Sequence, residues 1–101
     1  VPANLIAQHG AVSREVAQAM ATGMRERAGV SVALSVTGIA GPGGATDTKP
    51  VGLVYIGLDG GPGETQTKEC RFHGDRSVIK QRAAQAALDL LRRWLIKKDQ
   101  A

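Results

Sequence analysis

The sequence predicts an α/β domain, and three observations carry that prediction. Two stretches, over about 13–28 and 75–97, repeat apolar residues at helical spacing. Between them lie three shorter runs of strand character, at about 30–37, 51–58 and 65–72. Clusters of glycine and proline separate the strand-like runs, most densely at 38–44 and 60–63.

Taken in order, Pro2 suits the first turn of a short helix in which Leu5 and Ile6 pack before Gly10 stops it. Ser13 is a good N-cap, and Glu15 falls where the helix dipole favours a carboxylate. Val16, Met20 and Met24 then repeat every four residues beside Ala17, Ala21 and Ala28, and Gly29 closes the helix. The methionine pair reads as core filling, not as a sulfur ligand set. Gly23 costs this helix about 1 kcal/mol relative to alanine. Close approach of another element would account for it.

Val30–Val36 is apolar enough to read as a central strand covered on both faces, ending at Thr37. Val51–Leu58 is the second strand, Gly60–Gly63 supplies a tight reversal, and Thr65–Phe72 returns as a more polar strand. Lys68, Glu69 and Arg71 mark that third strand as a sheet edge. Asp75 caps the final helix, whose stripe runs through Val78, Ile79, Ala83, Ala86, Ala87, Leu90, Leu91, Trp94 and Leu95. Lys97–Ala101 is a polar tail expected to fray.

A chain of 101 residues builds one core, and 43% hydrophobic with 22% charged residues is the profile of a folded module. Tyr55, Phe72 and Trp94 are the whole aromatic complement, so the core is aliphatic and base-stacking platforms are scarce. Cys70, the single cysteine, has no disulfide partner within the chain and reads as a small buried strand residue. No apolar run reaches the roughly 20 residues that span a bilayer, and no leader-like segment opens the chain. A cytoplasmic protein without membrane contact is the expectation. The chain begins at Val1 on a segment of mid-domain character, so residues 1–101 are expected to be one domain lacking its N-terminal part.

Residues 71–101 hold eight basic and three acidic side chains, a balance of +5, while residues 1–70 come to −1. This asymmetry fits either an anionic partner or a solvated helix face. The interleaving of the charges with the apolar stripe favours the second. The Gly38–Gly44 segment offers open backbone whose N–H groups could line an anion, yet it fits neither the dinucleotide fingerprint nor the Walker loop. By composition it reads first as a long connection between antiparallel strands. Two scattered histidines and one cysteine make no metal-ligand set, so no metal is expected.

In combination the motifs are more specific. Gly10-Ala11-Val12-Ser13 with Glu15-Val16-Ala17, then Val36-Thr37-Gly38-Ile39-Ala40-Gly41-Pro42-Gly43-Gly44, Lys49-Pro50-Val51-Gly52 and Gly74-Asp75-Arg76 together resemble the CinA C-terminal domain, in the family's order. The resemblance implies a three-layer α/β/α fold with a mixed five-stranded sheet, of which this chain supplies three antiparallel strands. It also implies a nicotinamide-nucleotide amidase, which hydrolyses the carboxamide of nicotinamide mononucleotide to nicotinic acid mononucleotide and ammonia without a cofactor. In such enzymes a serine activated by lysine and tyrosine attacks the amide, all from a segment preceding the Gly10 motif and without counterpart here.

Thr37 and Arg76 match family site positions and are the catalytic candidates, with Gly38, Gly41 and Gly43 as the substrate-binding wall. Thr37 could hydrogen-bond substrate, hold the nucleophile's partner, or be a strand-end residue that bonds its own backbone. Arg76, at a helix start, could engage a phosphate or carboxylate or remain a surface charge. His73 is not a matching family position, and Ser13 and Tyr55 match neither the nucleophile nor its activator. The expected partners are a small-molecule nucleotide substrate and a further copy of the chain, with nucleic acid not expected. The alternative is a non-catalytic binding module linked to competence or DNA damage. A third possibility is a bare fragment whose apolar edge at Val30–Val36 invites dimerisation.

Overall fold

A computed structural model describes residues 1–99 of the chain. The elements follow as α1 (Ala3–His9), α2 (Arg14–Ala28), β1 (Ala33–Gly38), β2 (Leu53–Asp59), β3 (Thr65–Arg71) and α3 (Arg76–Asp99). The three strands form an antiparallel sheet in the order β1-β2-β3, with Val36 opposite Ile56 and Ile56 opposite Lys68. Helix α2 packs on one face of the sheet and α3 on the other, so the described residues make three layers.

Local chemistry sets the helix boundaries. The Ser13 hydroxyl accepts from the Val16 N–H at 3.2 Å and donates to the Gly10 carbonyl at 2.8 Å, joining the end of α1 to the start of α2. At the far end Gly29 takes a left-handed conformation, φ 64°, and the Gly29 and Val30 N–H groups both return to the Arg25 carbonyl. Val30 is therefore spent on terminating α2, and β1 begins at Ala33, three residues later than the apolar run suggested. For α3 the cap is Asp75, whose carboxylate accepts from Val78 N–H at 3.0 Å. This helix runs on to Asp99, through the first part of the expected tail, and residues 100–101 lie outside the described residues.

Four expectations need correction. Among the described strands β2, not β1, is central, and Val36 on β1 is 41% exposed. Of the expected α2 stripe Val16, Ala17 and Ala21 form the buried face, whereas Met24, expected to fill the core, is 58% exposed. Small residues occupy that face because the helix lies very close to the sheet: the Ser35 hydroxyl donates to the Ala17 carbonyl at 2.5 Å, and a methyl group on Gly57 would strike that same carbonyl. Gly23, by contrast, has nothing within 4 Å of where its Cβ would stand, so no close approach explains it. On α3 the stripe is narrower than expected: Ile79, Ala83, Ala87 and Trp94 are buried, while Leu95 lies about 100° further round the helix and is exposed.

The α3 face of the sheet carries the main core, with Val54, Ile56 and Cys70 against Ile79, Ala83 and Ala87. Cys70 is a packing residue, and burial pushes its thiol above the usual range. A second anchor sits at the opposite end of β2. Asp59, buried, accepts from the Thr22 hydroxyl at 2.6 Å, from Arg25 Nε at 3.1 Å and from the Gly61 N–H at 2.8 Å. The Thr22 hydroxyl, with the Gly61 amide and the Arg25 guanidinium, holds the Asp59 carboxyl below its ordinary pKa against the opposing effect of burial.

Two outcomes follow for stability. Gly57→Ala should lower the unfolding free energy by about 2 kcal/mol through overpacking, while Gly23→Ala should raise it by about 0.5–1 kcal/mol. Urea titration of both variants reads this directly, and an unperturbed Gly57→Ala protein would remove the close-approach constraint. Because the folded Asp59 pKa is depressed, its contribution is complete above the unfolded value of about 4 and is lost as pH falls through the folded value. Asp59→Asn should therefore show a flatter loss of stability than the parent as pH falls below about 4, measured by thermal melts over a descending pH series.

Candidate ligand site at the glycine-rich loop

The loop between β1 and β2 is rooted by the sheet itself. Ile39 N–H donates to Leu53 carbonyl at 2.9 Å and Gly52 N–H to Ile39 carbonyl at 2.7 Å, extending the β1–β2 pairing past the strand ends. Gly52 cannot be replaced without cost. Its φ is 95°, a Cβ there would run into the Phe72 carbonyl, and its own carbonyl accepts from the Phe72 N–H at 2.9 Å. Further out, Thr46 N–H donates to the Lys49 carbonyl at 2.9 Å, and Lys49 N–H to the Thr46 hydroxyl at 3.1 Å, closing a small turn.

Around this root the candidate residues fall into two groups. Thr37, on the α2 face of β1, donates its hydroxyl to the Ala11 carbonyl at 2.8 Å, so it holds the turn between α1 and α2. Arg76, at the start of α3, donates from its guanidinium to the Gly41 carbonyl at 3.3 Å. Both side chains thus bind backbone carbonyls, one at the loop's origin and one on the loop. Gly38 lies on the α3 face, lining an apolar hollow of about 280 Å³ with Val36, Ala40, Val54 and Ile79. Gly41 is buried beside Val51, and Gly43 faces open space.

A second hollow, of about 370 Å³, lies where the Gly10–Val12 turn meets Ile39, Gly44 and the Thr46–Lys49 turn. Lys49 crosses it and donates its ammonium to the His9 carbonyl at 2.6 Å. A Cβ on Gly10 would lie 2.9 Å from that nitrogen, so glycine at position 10 makes room for the lysine. Sequence reasoning named the Gly10 and Lys49 motifs separately and assigned Lys49 no role. The only available hint was their joint appearance, since 39 positions separate them and no periodicity links them.

The Tyr55 and Ser13 hydroxyls are both engaged. Tyr55 donates to Glu69 at 2.9 Å, with Arg14 5.9 Å from its ring centre; burial and that carboxylate push the phenol above its usual pKa. The Tyr55 hydroxyl in turn holds Glu69 below the usual carboxylate range. Ser13 is engaged on both sides as a cap, and His73 is exposed. Among the described residues no three His, Cys, Asp or Glu side chains stand together as metal ligands, and no helix is long and apolar enough to cross a membrane.

The chain shares this architecture with known proteins. The family model described as the CinA C-terminal domain matches residues 1–95. The CinA-like protein of Citrifermentans bemidjiense is 55% identical over 96 residues, covering 95% of this chain and 23% of that protein. The CinA-like protein of Syntrophomonas wolfei is 59% identical over 88 residues, covering 87% and 21% respectively. Among solved structures, the competence damage-inducible protein A (ComA) of Klebsiella pneumoniae superposes with a TM-score of 0.88 at 36% identity, over 95% of this chain and 59% of that one. The competence/damage inducible protein CihA of Agrobacterium tumefaciens gives 0.86 at 38% identity, over 90% and 56%. The chain thus spans under a quarter of those two CinA-like proteins and under three fifths of the two solved chains. With a family model matching nearly its whole length, the chain belongs to the CinA C-terminal domain family.

Proposed function

We propose that this chain forms part of a nicotinamide-nucleotide amidase, converting nicotinamide mononucleotide and water to nicotinic acid mononucleotide and ammonia. The observation that carries the reading is that each family motif takes part in holding the walls of one region: Thr37 and Lys49 bind the carbonyls of Ala11 and His9 on either side of Gly10, and Arg76 binds the Gly41 carbonyl of the glycine-rich loop that follows Thr37. Amide hydrolysis needs such a rigid frame, because a poorly reactive carbonyl must be held against a nucleophile and a developing oxyanion.

On this reading Thr37 and Arg76 act as positioning residues for the turn and the loop that border the substrate. The family resemblance implies a nucleophile from a segment preceding the Gly10 motif; within the chain the Ser13 hydroxyl caps α2 and Tyr55 donates to Glu69. Names of the solved relatives speak of competence and damage induction, which motivates a nucleic-acid-binding alternative. Ion pairing of Arg92 and Arg93 with Asp89, and of Lys98 with Glu64, engages three of the seven basic side chains of α3 and reduces the free charge available to that alternative.

The parent protein containing this chain should release ammonia from nicotinamide mononucleotide, and Thr37→Ala and Arg76→Ala should each slow that release about tenfold or more. A coupled ammonia assay on purified variants decides the matter. Unchanged turnover in both variants removes these residues from the site, and no turnover in the parent removes the activity.

A further inference from the structure

Two sequence motifs, Gly10-Ala11-Val12-Ser13 and Lys49-Pro50-Val51-Gly52, meet in the hollow crossed by Lys49, and the single backbone carbonyl that Lys49 binds there leaves its positive charge without a counter-charge. The Lys49 ammonium has three donors and spends one on the His9 carbonyl at 2.6 Å. Among the described residues no carboxylate lies within ion-pair distance of it, although other cations of the chain are so paired. Thr48 lines the same hollow, whose volume of about 370 Å³ lies in the range of small-ligand sites. Lys49 is itself only half-buried, so an incoming anion can reach it.

We propose that this hollow is a phosphate subsite, in which the Lys49 ammonium supplies the charge and the Thr48 hydroxyl a further hydrogen bond to a phosphomonoester. The proposal rests on the amidase reading for the identity of the ligand, a mononucleotide, but its anion chemistry stands apart from that reaction. It assigns the phosphate to Lys49, which lines the hollow, and not to Arg76, which lies outside it and reaches the Gly41 carbonyl. Thr37 completes the subsite indirectly, because its bond to the Ala11 carbonyl fixes the turn that forms the wall.

The test is a titration of the parent protein with ribose 5-phosphate, with ribose as the uncharged control, followed by calorimetry and by backbone amide shifts at Gly44, Thr46 and Thr48. Ribose 5-phosphate should bind and move those amides, with ribose binding at least about tenfold more weakly. Lys49→Met should weaken ribose 5-phosphate about tenfold or more and leave ribose unchanged, Lys49→Arg should recover part of the loss, and Arg82→Gln, an exposed cation of α3 outside the hollow, should change affinity less than about twofold. Thermal melts identify any Lys49→Met protein that has lost its fold, in which case Thr48→Val reads the same subsite by a smaller loss. Undiminished binding in Lys49→Met, an equal loss in Arg82→Gln, or no binding in the parent would each overturn the proposal. Ammonia release is measured separately, so phosphate binding without turnover sinks only the amidase reading, and turnover with Lys49-independent binding sinks only the subsite.

Discussion

The contact on which the rest of the molecule depends is the approach of the α2 backbone to the sheet at Ala17. Its carbonyl receives the Ser35 hydroxyl at 2.5 Å, and Gly57, beside Ser35 on the neighbouring strand, leaves room for it. A hydroxyl and a missing side chain do together what neither does alone. Any larger residue at 57 would lift the helix, and without the hydroxyl a buried carbonyl would face the sheet with one fewer partner. The alanines at 17 and 21 follow from this distance, being the apolar side chains short enough to lie in the gap.

Once α2 is seated, its two ends organise the two ends of the sheet. At one end Thr22 and Arg25 reach Asp59, which in turn fixes the Gly61 amide of the β2–β3 turn, with the Trp94 ring packed against Gly60. At the other end Ser13 ties α2 back to Gly10, and Thr37 reaches across from β1 to hold Ala11. The candidate site is therefore a consequence of helix placement. Its turn is held from the strand side by Thr37, its loop from the α3 side by Arg76, and the gap between the two motifs is bridged by Lys49.

This arrangement also explains why the bonds at the site run to backbone carbonyls. Turns and loops carry carbonyl groups that no helix or strand satisfies, and side-chain donors from neighbouring elements are the direct remedy. Thr37, Lys49 and Arg76 each provide one such bond. A frame built this way keeps a loop rich in glycine in one shape without filling the space beside it. Lys49 and Arg76 retain donors beyond the bonds they make, which leaves cationic groups at the rim for a ligand.

What the sequence by itself determined was local: the Ser13 and Asp75 caps, the Gly29 stop, the antiparallel strand set, the polar edge at β3 and the burial of Cys70. Each of these depends on a residue and its near neighbours in the chain, so composition and spacing suffice to read it. The family resemblance likewise rested on short motifs legible one at a time. Tertiary structure alone decided which strand was central, which residues of the α2 stripe were buried with Met24 left exposed, and that Gly57 rather than Gly23 is the glycine of close approach. It alone brought Lys49 to Gly10 and Arg76 to Gly41, pairs separated by 39 and 35 positions. Such pairings follow from how layers stack and how near they come, and no periodicity within one element encodes a distance between two.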